Sequence, residues 1–318
     1  MTIVDDHPYP RTPRRVPFDY RTDDPLRLVS ASRAKYERPP SLRFLVVKES
    51  AQNASQDEWN RALVDDNTVR LCRRGHECDS TLRCVTCSVY RMAERQATLA
   101  AALRVAPAAV MVSLTFRHDT KPLAEEWSDL DAILVRFTKR GDWSHFKKQH
   151  GITGYAVTEE LTKTSDGWNV HSHVILTFDQ NSSPAGRRRL QQAVTARWVR
   201  AARHLGHDAA EHLQTFSWMR DDLSADDMAE YVTKQTLLKR APETKLGRYP
   251  GDLLAGAHAG DADDLLAYRE YLDAARHRGL VRQYGTLSRN ADTAHVRLDP
   301  PTSESPIDFD KWLASGRG

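Results

Sequence analysis

The feature that most constrains the fold is a pair of histidines separated by one residue within an apolar run. The segment reads Gly167-Trp168-Asn169-Val170-His171-Ser172-His173-Val174-Ile175-Leu176. Its β-branched, apolar character predicts a strand, and because side chains alternate faces along a strand, the two imidazoles point the same way, about 6–7 Å apart. Two imidazoles directed into one space can share a divalent cation. As an isolated pattern, two histidines on a half-exposed strand are the simpler interpretation.

A second strand with two acidic residues is predicted immediately before the histidines. It covers residues 154–162, and a short polar connection that ends in Asp166-Gly167 joins it to the histidine strand. Asp-Gly between two β-like runs favours a hairpin, which brings either Glu159 or Glu160 beside the imidazoles, since adjacent residues face opposite sides. Two imidazoles and a carboxylate suit Mn²⁺ or Mg²⁺. The alternative is that both acids are solvated at a strand end.

A candidate nucleophile lies on a predicted helix further along the chain. Ser224 and an acidic residue three positions later resemble a capping box at its start. Asp227, Tyr231 and Lys234 follow at spacings of three and four and therefore share one helix face. A phenol has a pKa of about 10 and is a weak nucleophile at neutral pH, but a neighbouring cation stabilises the phenolate. An ordinary amphipathic helix with a packed tyrosine is the simpler interpretation of this segment alone.

The order of these segments resembles the three motifs of the rolling-circle replication initiators of small bacterial plasmids, within the HUH endonuclease superfamily. It is most similar to the single-tyrosine initiators of Gram-positive and actinobacterial plasmids. The resemblance covers approximately residues 107–290 and is carried by an apolar strand (112–116), a strand that ends at 160–162, the histidine pair and the segment 231–234. It implies that His171, His173 and Glu160 bind the catalytic cation and that Tyr231 attacks DNA, with Lys234 at the position of a lysine in the family motif.

Two positions depart from that family pattern. Related initiators carry a glutamate one helical turn before the tyrosine, which assists a terminating hydrolysis, whereas this chain has Asp227 there and Glu230 next to the tyrosine. Many relatives also carry proline before the first histidine, where this chain has Val170. Either acid, Asp227 or Glu230, is therefore a candidate for the terminating step.

The cysteines form a compact cluster in the sequence. All of them fall between residues 72 and 87, as Cys72, Cys78, Cys84 and Cys87, with His76 inside the first interval. A Cys-x2-Cys pair with two further sulfurs nearby fits a tetrahedral structural zinc site. Because the first interval is long, His76 is an alternative ligand in place of Cys72 or Cys78. The other interpretation is a set of reduced structural thiols.

Positive charge is local rather than general, since the net charge is only +3. A predicted helix after Ser183-Pro184 contains no acidic residue as far as Gly206. Its arginines make a phosphate-binding surface plausible, although a merely solvated basic face is the alternative. The DNA-binding candidates are Arg187, Arg188, Arg189, Arg197, Arg200 and Arg203.

The succession strand, helix, strand, strand, helix predicts an α+β fold with an antiparallel sheet and helices on one side. This agrees with the ferredoxin-like (RRM-like) HUH palm that the resemblance implies. Four regions are expected: a partly disordered N-terminal region (1–68), a zinc-binding segment and helix (69–106), the HUH nicking domain (107–240), and a helical extension with a mobile tail (241–318). No apolar run reaches membrane-spanning length, and no hydrophobic signal segment opens the chain, so we expect a cytoplasmic protein without a membrane partner.

These features predict a metal-dependent endonuclease and strand transferase that nicks single-stranded or hairpin DNA at a plasmid origin. The expected product is a 5′-phosphotyrosyl link and a free 3′-hydroxyl that primes replication, with Mn²⁺ or Mg²⁺ as catalytic cofactor, Zn²⁺ as structural cofactor, and a host helicase and DNA polymerase as partners. Alternatives are a transposase or relaxase with the same metal site, a metal-dependent hydrolase without a covalent step, and a non-enzymatic zinc-containing DNA-binding regulator. Relaxases usually place the tyrosine before the histidines, whereas here it follows them.

Overall fold

The computed structural model describes residues 81–139, 141–233, 247–276, 278–279 and 281–293, together with the backbone of two short strands. Those two strands, β1 (Arg43–Val47) and β2 (Thr68–Cys72), form a parallel pair. The main sheet consists of β3 (Ala108–Leu114), β4 (Ile152–Thr164), β5 (Gly167–Phe178), β6 (Thr215–Trp218) and β7 (Val281–Gly285). The helices are α1 (Val85–Arg104), α2 (Leu123–Phe137), α3 (Asp142–Gln149), α4 (Pro184–His204), α5 (Ala225–Thr233), α6 (Pro250–Ala259), α7 (Ala262–Ala274) and α8 (Thr286–Thr293).

The main sheet is antiparallel throughout, in the order β6-β3-β5-β4-β7. At its centre, β4 and β5 form the predicted hairpin, which turns through Ser165 and Asp166 between the paired residues Thr164 and Gly167. Gly167 has a φ of 126°, a conformation that side chains with a Cβ rarely adopt. The α+β class and the antiparallel sheet are therefore confirmed, and so is the pairing of the two strands that carry the site.

Helices cover both faces of this sheet, which corrects the expectation of helices on one side. Even-numbered residues of β3 pack with α2, α3, α4 and α7 in one apolar core. Odd-numbered residues of the same strand, with Ala156 and Ile175, pack with α1, α5 and α8 in a second core. The physical reason is that central strands β3 and β5 are buried on both faces, so their sequences are nearly continuous apolar runs rather than alternating ones.

Local sequence signals locate most helix ends. Ser183 caps α4 by accepting a hydrogen bond from the Gly186 amide at 3.2 Å, and Pro184 occupies the first helical position, where its missing N–H costs nothing. The predicted break at Gly141, whose φ is 81°, separates α2 from α3. The predicted helix after the cysteines corresponds to α1.

The C-terminal region contributes more than the expected helices. Strand β7 pairs with β4 and forms an edge of the sheet, and α6 begins at Pro250, the last residue of the segment 247–250 that the sequence predicts only as a break. Gly256 allows α6 to pack closely on α7, because a Cβ at this position would lie 1.6 Å from Asp264 Oδ2. The region therefore completes the sheet beside the histidine hairpin.

Two sequence predictions, the partial disorder of 1–68 and the mobile tail at the end of 241–318, concern segments that lie outside the described residues, apart from the backbone of β1 and the start of β2. Among the helices that the structure describes, none combines the length and the apolarity that a bilayer crossing requires.

Candidate metal centre

Three side chains of the β4–β5 hairpin form a cluster that could hold a metal ion. In the strand register, Glu160 lies directly opposite His171, and Thr158 lies opposite His173. Glu160 Oε2 lies 3.2 Å from His171 Nε2 and 2.8 Å from His173 Nε2. All potential ligand atoms lie within 4.8 Å of one another. The hairpin thus selects Glu160, rather than Glu159, as the carboxylate beside the imidazoles.

The geometry of this cluster fits a divalent cation. Two ligand atoms that bind such an ion at about 2.1 Å and at right angles lie about 3.0 Å apart, which is close to the observed oxygen–nitrogen distances of 2.8 and 3.2 Å. Glu160 and His173 are buried, and His171 is partly exposed, so the cluster is accessible from solvent on the His171 side. Two imidazoles and one carboxylate do not select a single divalent metal.

Two further residues orient the cluster. Ser113 Oγ lies 2.9 Å from His173 Nδ1, so when Nδ1 is protonated and donates to this hydroxyl, the Nε2 lone pair can bind a cation placed between His173 and Glu160. Tyr249 donates a hydrogen bond from its hydroxyl to Glu160 Oε1 at 3.0 Å. Ser113 belongs to the apolar strand (112–116) that the sequence analysis identified, although no role was predicted for it. Tyr249 was missed, because nothing local in a predicted break indicates a contact with a residue 89 positions away.

Helix α5 places Tyr231 on the same face of the sheet as the cluster. Thr158 Oγ1 donates to the Val232 carbonyl at 3.0 Å and fastens α5 to β4, and Met228 packs in the core with Ile175 of β5. The Tyr231 ring stands edge-on to His173, with 5.0 Å between ring centroids and an interplanar angle of 87°. The structure therefore brings together the phenol and the imidazoles that the sequence analysis singled out.

Electrostatics at this phenol depend on what occupies the cluster. Burial raises the pKa of Tyr231, and the negative charge of Glu160 raises this pKa further. A bound cation would reverse the effect of Glu160, because it becomes the largest local charge. A phenolate at Tyr231 would therefore form more readily with a cation in the cluster than without one.

The other predicted residues of α5 have different surroundings. Asp227 accepts hydrogen bonds from the Ser224 amide and hydroxyl at 3.1 and 2.6 Å, while its own amide donates to Ser224 Oγ at 3.0 Å. This is the predicted capping box, so the Asp227 carboxylate is held at the start of α5. Glu230 is exposed, and Lys234 lies outside the described residues.

A third histidine lies near the cluster and was not predicted. His118 follows β3, and its Nδ1 lies 3.5 Å from Glu126 Oε2. Within the described part of the chain, neither ring nitrogen of His118 makes a hydrogen bond. Burial, and next the repulsion between its positive charge and that of His171, lower the pKa of His118 to about 4. This imidazole is therefore a neutral base at pH 7.

Two of the four cysteines are described with their side chains. Cys84 occupies the N-cap position of α1 without a side-chain capping hydrogen bond, Cys87 lies in the first turn, and both are buried. Only the backbone of Cys72 is described, at the end of β2, and Cys78 and His76 lie outside the described residues.

Tyr268 of α7 is fully buried near Cys84, and its hydroxyl has no hydrogen-bond partner among the described residues. Burial and the charge of Cys84 raise the pKa of Tyr268. An unused phenol donor near a cysteine is compatible with a metal-bound thiolate.

The predicted DNA-binding arginines lie on α4, whose buried residues belong to the core on the opposite face of the sheet from the cluster. Among the described residues, the guanidinium groups of two of these arginines contact other side chains or the backbone. Arg187 pairs with Asp221 and lies 4.5 Å above the Trp218 ring. Arg197 donates to the Phe137 carbonyl at 2.6 Å and contacts the Phe146 ring at 5.3 Å. The exposed arginines are Arg188, Arg189, Arg200 and Arg203.

No protein-family model, no curated protein and no solved structure matches this chain. Its role is therefore inferred from the chemistry of Glu160, His171 and His173 and from the residues that surround them.

Proposed function

We propose that this protein is a metal-dependent endonuclease and strand transferase that nicks single-stranded DNA through Tyr231, as expected of a rolling-circle replication initiator with an HUH palm. The single observation that carries the proposal is the position of the Tyr231 ring, 5.0 Å from the ring of His173. Although Tyr231 also packs against the apolar core on this face of the sheet, its ring contacts an imidazole of the candidate cation site, and Glu160 is close enough to affect its pKa. This arrangement brings a nucleophile and a candidate cation site together.

His171, His173 and Glu160 would hold the cation, with Ser113 fixing the orientation of one imidazole. When bound, the cation supplies polarisation of a nonbridging phosphate oxygen at the scissile bond. The phenolic proton of Tyr231 is lost to solvent, its oxygen attacks phosphorus, the bond from phosphorus to the 3′-oxygen breaks, and the 3′-oxygen takes up a proton from solvent. A 5′-phosphotyrosyl link and a 3′-hydroxyl result, so the phosphodiester energy is retained for later strand closure.

The catalytic cation would be Mn²⁺ or Mg²⁺, and Cys84 and Cys87 would bind structural Zn²⁺ with Cys72 and Cys78, or with His76 in place of either. The substrate would be plasmid origin DNA in the cytoplasm, whose 3′-hydroxyl a host DNA polymerase extends while a host helicase separates the strands. Asp227 or Glu230 would terminate the cycle. The exposed arginines of α4 would contact DNA away from the nick, because they lie on the other face of the sheet.

A covalent adduct tests the nucleophile directly. The full chain is incubated with Mn²⁺ and a randomised pool of labelled single-stranded oligonucleotides, and products are separated under denaturing conditions. We expect a protein–DNA adduct that EDTA prevents, that Mn²⁺ or Mg²⁺ restores, and that Tyr231→Phe abolishes, with a nucleotide on the Tyr231 peptide in mass spectrometry. Tyr284→Phe, which changes a tyrosine on edge strand β7, is the matched control. An undiminished adduct in Tyr231→Phe would remove Tyr231 as the nucleophile.

One observation favours a second candidate, a metal-dependent phosphodiesterase without a covalent step. His118 is neutral at pH 7 because its pKa is lowered to about 4, and its ring nitrogens have no hydrogen-bond partner among the described residues, so it could accept a hydrogen bond from an attacking water and orient it. The same assay separates the two candidates. The second predicts cleaved oligonucleotide, no adduct in any lane, and activity that survives Tyr231→Phe but falls with His118→Phe.

A further inference from the structure

Tyr249 contacts the metal cluster from a part of the chain that the proposed reaction does not use. It is 3% exposed, and Glu160, which receives its hydrogen bond, is 1% exposed. The two carboxylate oxygens of Glu160 have different neighbours: Oε1 accepts from the Tyr249 hydroxyl, whereas Oε2 lies beside both imidazoles. The phenol therefore contacts the oxygen that is not directed into the cluster.

The backbone around Tyr249 is fastened to the strand that carries Glu160. Arg248 and Lys163 exchange two backbone hydrogen bonds, each 2.8 Å long, in an antiparallel bridge beside β4. The Tyr249 amide donates to Asp252 Oδ2 at 2.7 Å at the start of α6, and Pro250 follows at the first helical position. Because main-chain bonds hold Tyr249 relative to β4, its hydroxyl is positioned by rigid elements rather than by a loose loop.

We infer that Tyr249 is a positioning residue that fixes the Glu160 carboxylate so that it offers one oxygen, Oε2, to a divalent cation; this inference rests on the metal site of the proposed function. An outer partner of this kind sets the orientation of a ligand, and its removal weakens metal binding by about 10- to 100-fold. It also affects selectivity. Ca²⁺ readily accepts both oxygens of a carboxylate in a flexible site, whereas the smaller Mg²⁺ requires near-octahedral geometry. A restrained, one-oxygen Glu160 therefore disfavours Ca²⁺.

Metal affinity measured without DNA tests the inference. Mn²⁺ and Ca²⁺ binding to the full chain is measured by calorimetry for the unaltered protein, Tyr249→Phe, Glu160→Gln and the control Tyr284→Phe. We expect Tyr249→Phe to weaken Mn²⁺ binding about 10-fold or more. We also expect it to reduce the ratio of the Ca²⁺ dissociation constant to the Mn²⁺ dissociation constant. Glu160→Gln should abolish binding, and Tyr284→Phe should change nothing. A Tyr249→Phe protein that binds Mn²⁺ within twofold of the original, or that keeps the same Mn²⁺/Ca²⁺ preference, overturns the inference.

A purely structural role for Tyr249 makes a different prediction, namely a lower unfolding temperature in EDTA with an unchanged metal preference. Should Tyr249→Phe fail to fold, Gly247→Ala provides the second variant. A Cβ at Gly247 would lie 2.8 Å from Thr162 Cβ, so this change displaces the segment that carries Tyr249 and should weaken Mn²⁺ binding while keeping the phenol. Unchanged affinity and preference in Gly247→Ala would then count against the inference.

The outcomes for this inference and for the proposed function are distinguishable. If the unaltered protein binds Mn²⁺ no better than Glu160→Gln does, the metal site itself is wrong and both fail. If it binds Mn²⁺ and Tyr249→Phe binds equally well, only the role of Tyr249 fails. If binding depends on Tyr249 but no DNA adduct forms, the role of Tyr249 stands and the nicking reaction is wrong.

Discussion

The neighbouring acids Glu159 and Glu160 should have separable effects, because they face opposite sides of β4. Glu159 is buried, accepts a hydrogen bond from Trp127 Nε1 at 2.5 Å and pairs with Arg282. Glu159→Ala leaves the indole N–H of the fully buried Trp127 without this acceptor, which costs about 1–3 kcal/mol. The lost ion pair adds less than about 1 kcal/mol, since the Arg282 side chain is 41% exposed and returns to water.

The same comparison includes a variant that keeps an acceptor. Glu159→Gln retains an oxygen for Trp127 and removes the charge, so its free energy of unfolding should stay within about 1 kcal/mol of the original. Burial is the main cause that raises the pKa of Glu159 above its usual 4.5, so the stability this group provides is complete below pH 4.5 and is lost as the pH rises through the raised value. The free energy of unfolding of Glu159→Gln, relative to that of the original chain, should therefore be higher at pH 7 than at pH 4.

Urea unfolding with and without Mn²⁺ measures both effects. A ligand present at 100 times its dissociation constant stabilises the folded state by about 2.7 kcal/mol. We expect Glu159→Ala to keep this increment although its metal-free stability is lower, and Glu160→Gln to lose the increment. If Glu159→Ala loses the Mn²⁺ increment as completely as Glu160→Gln does, the assignment of the two side chains to opposite faces is wrong.

Three further predictions concern stability. The pKa of folded His118 is about 4, so between pH 6.5 and 4 the unfolded chain takes up a proton that the folded protein does not bind. The free energy of unfolding should therefore fall by about 3 kcal/mol over this range. Urea titrations of His118→Phe should lack this fall, and an unchanged pH dependence of stability in this variant would contradict the assignment to His118. Arg197→Met should lower stability by about 1–2 kcal/mol, whereas exposed Arg200→Met should stay within about 0.5 kcal/mol, and equal losses would refute the distinction. Glu270→Ala should cost about 1–3 kcal/mol because its carboxylate accepts from the Leu123 amide and Trp168 Nε1 at 2.7 and 2.8 Å; a melting temperature identical to the original would disprove this.

The sequence predicted the parts of the site whose signals are local. The hairpin followed from two apolar runs around Asp166-Gly167, and the shared direction of His171 and His173 followed from strand periodicity. Periodicity alone left Glu159 and Glu160 as alternatives, since choosing between them requires the register, which pairs Glu160 with His171. The Ser224–Asp227 cap was likewise predicted from spacing and confirmed.

What the sequence could not supply depends on contacts between distant segments. Tyr249 reaches Glu160 across 89 positions, and no pattern around it indicates that contact. Strand β7 was missed because an edge strand needs no alternating apolar residues. The basic helix shows the limit of charge counting: Arg197 lies over aromatic rings, since a guanidinium can pack its planar face and stem against apolar groups as readily as it meets a phosphate.

The hairpin that carries all three candidate ligands has a consequence for folding. If β4 and β5 slipped by one residue, Glu160 would no longer lie opposite His171, and its side chain and the imidazoles would project from opposite faces. A cation bound by all three groups would therefore stabilise only the correctly aligned hairpin. Metal loading would then favour the native register while the sheet assembles.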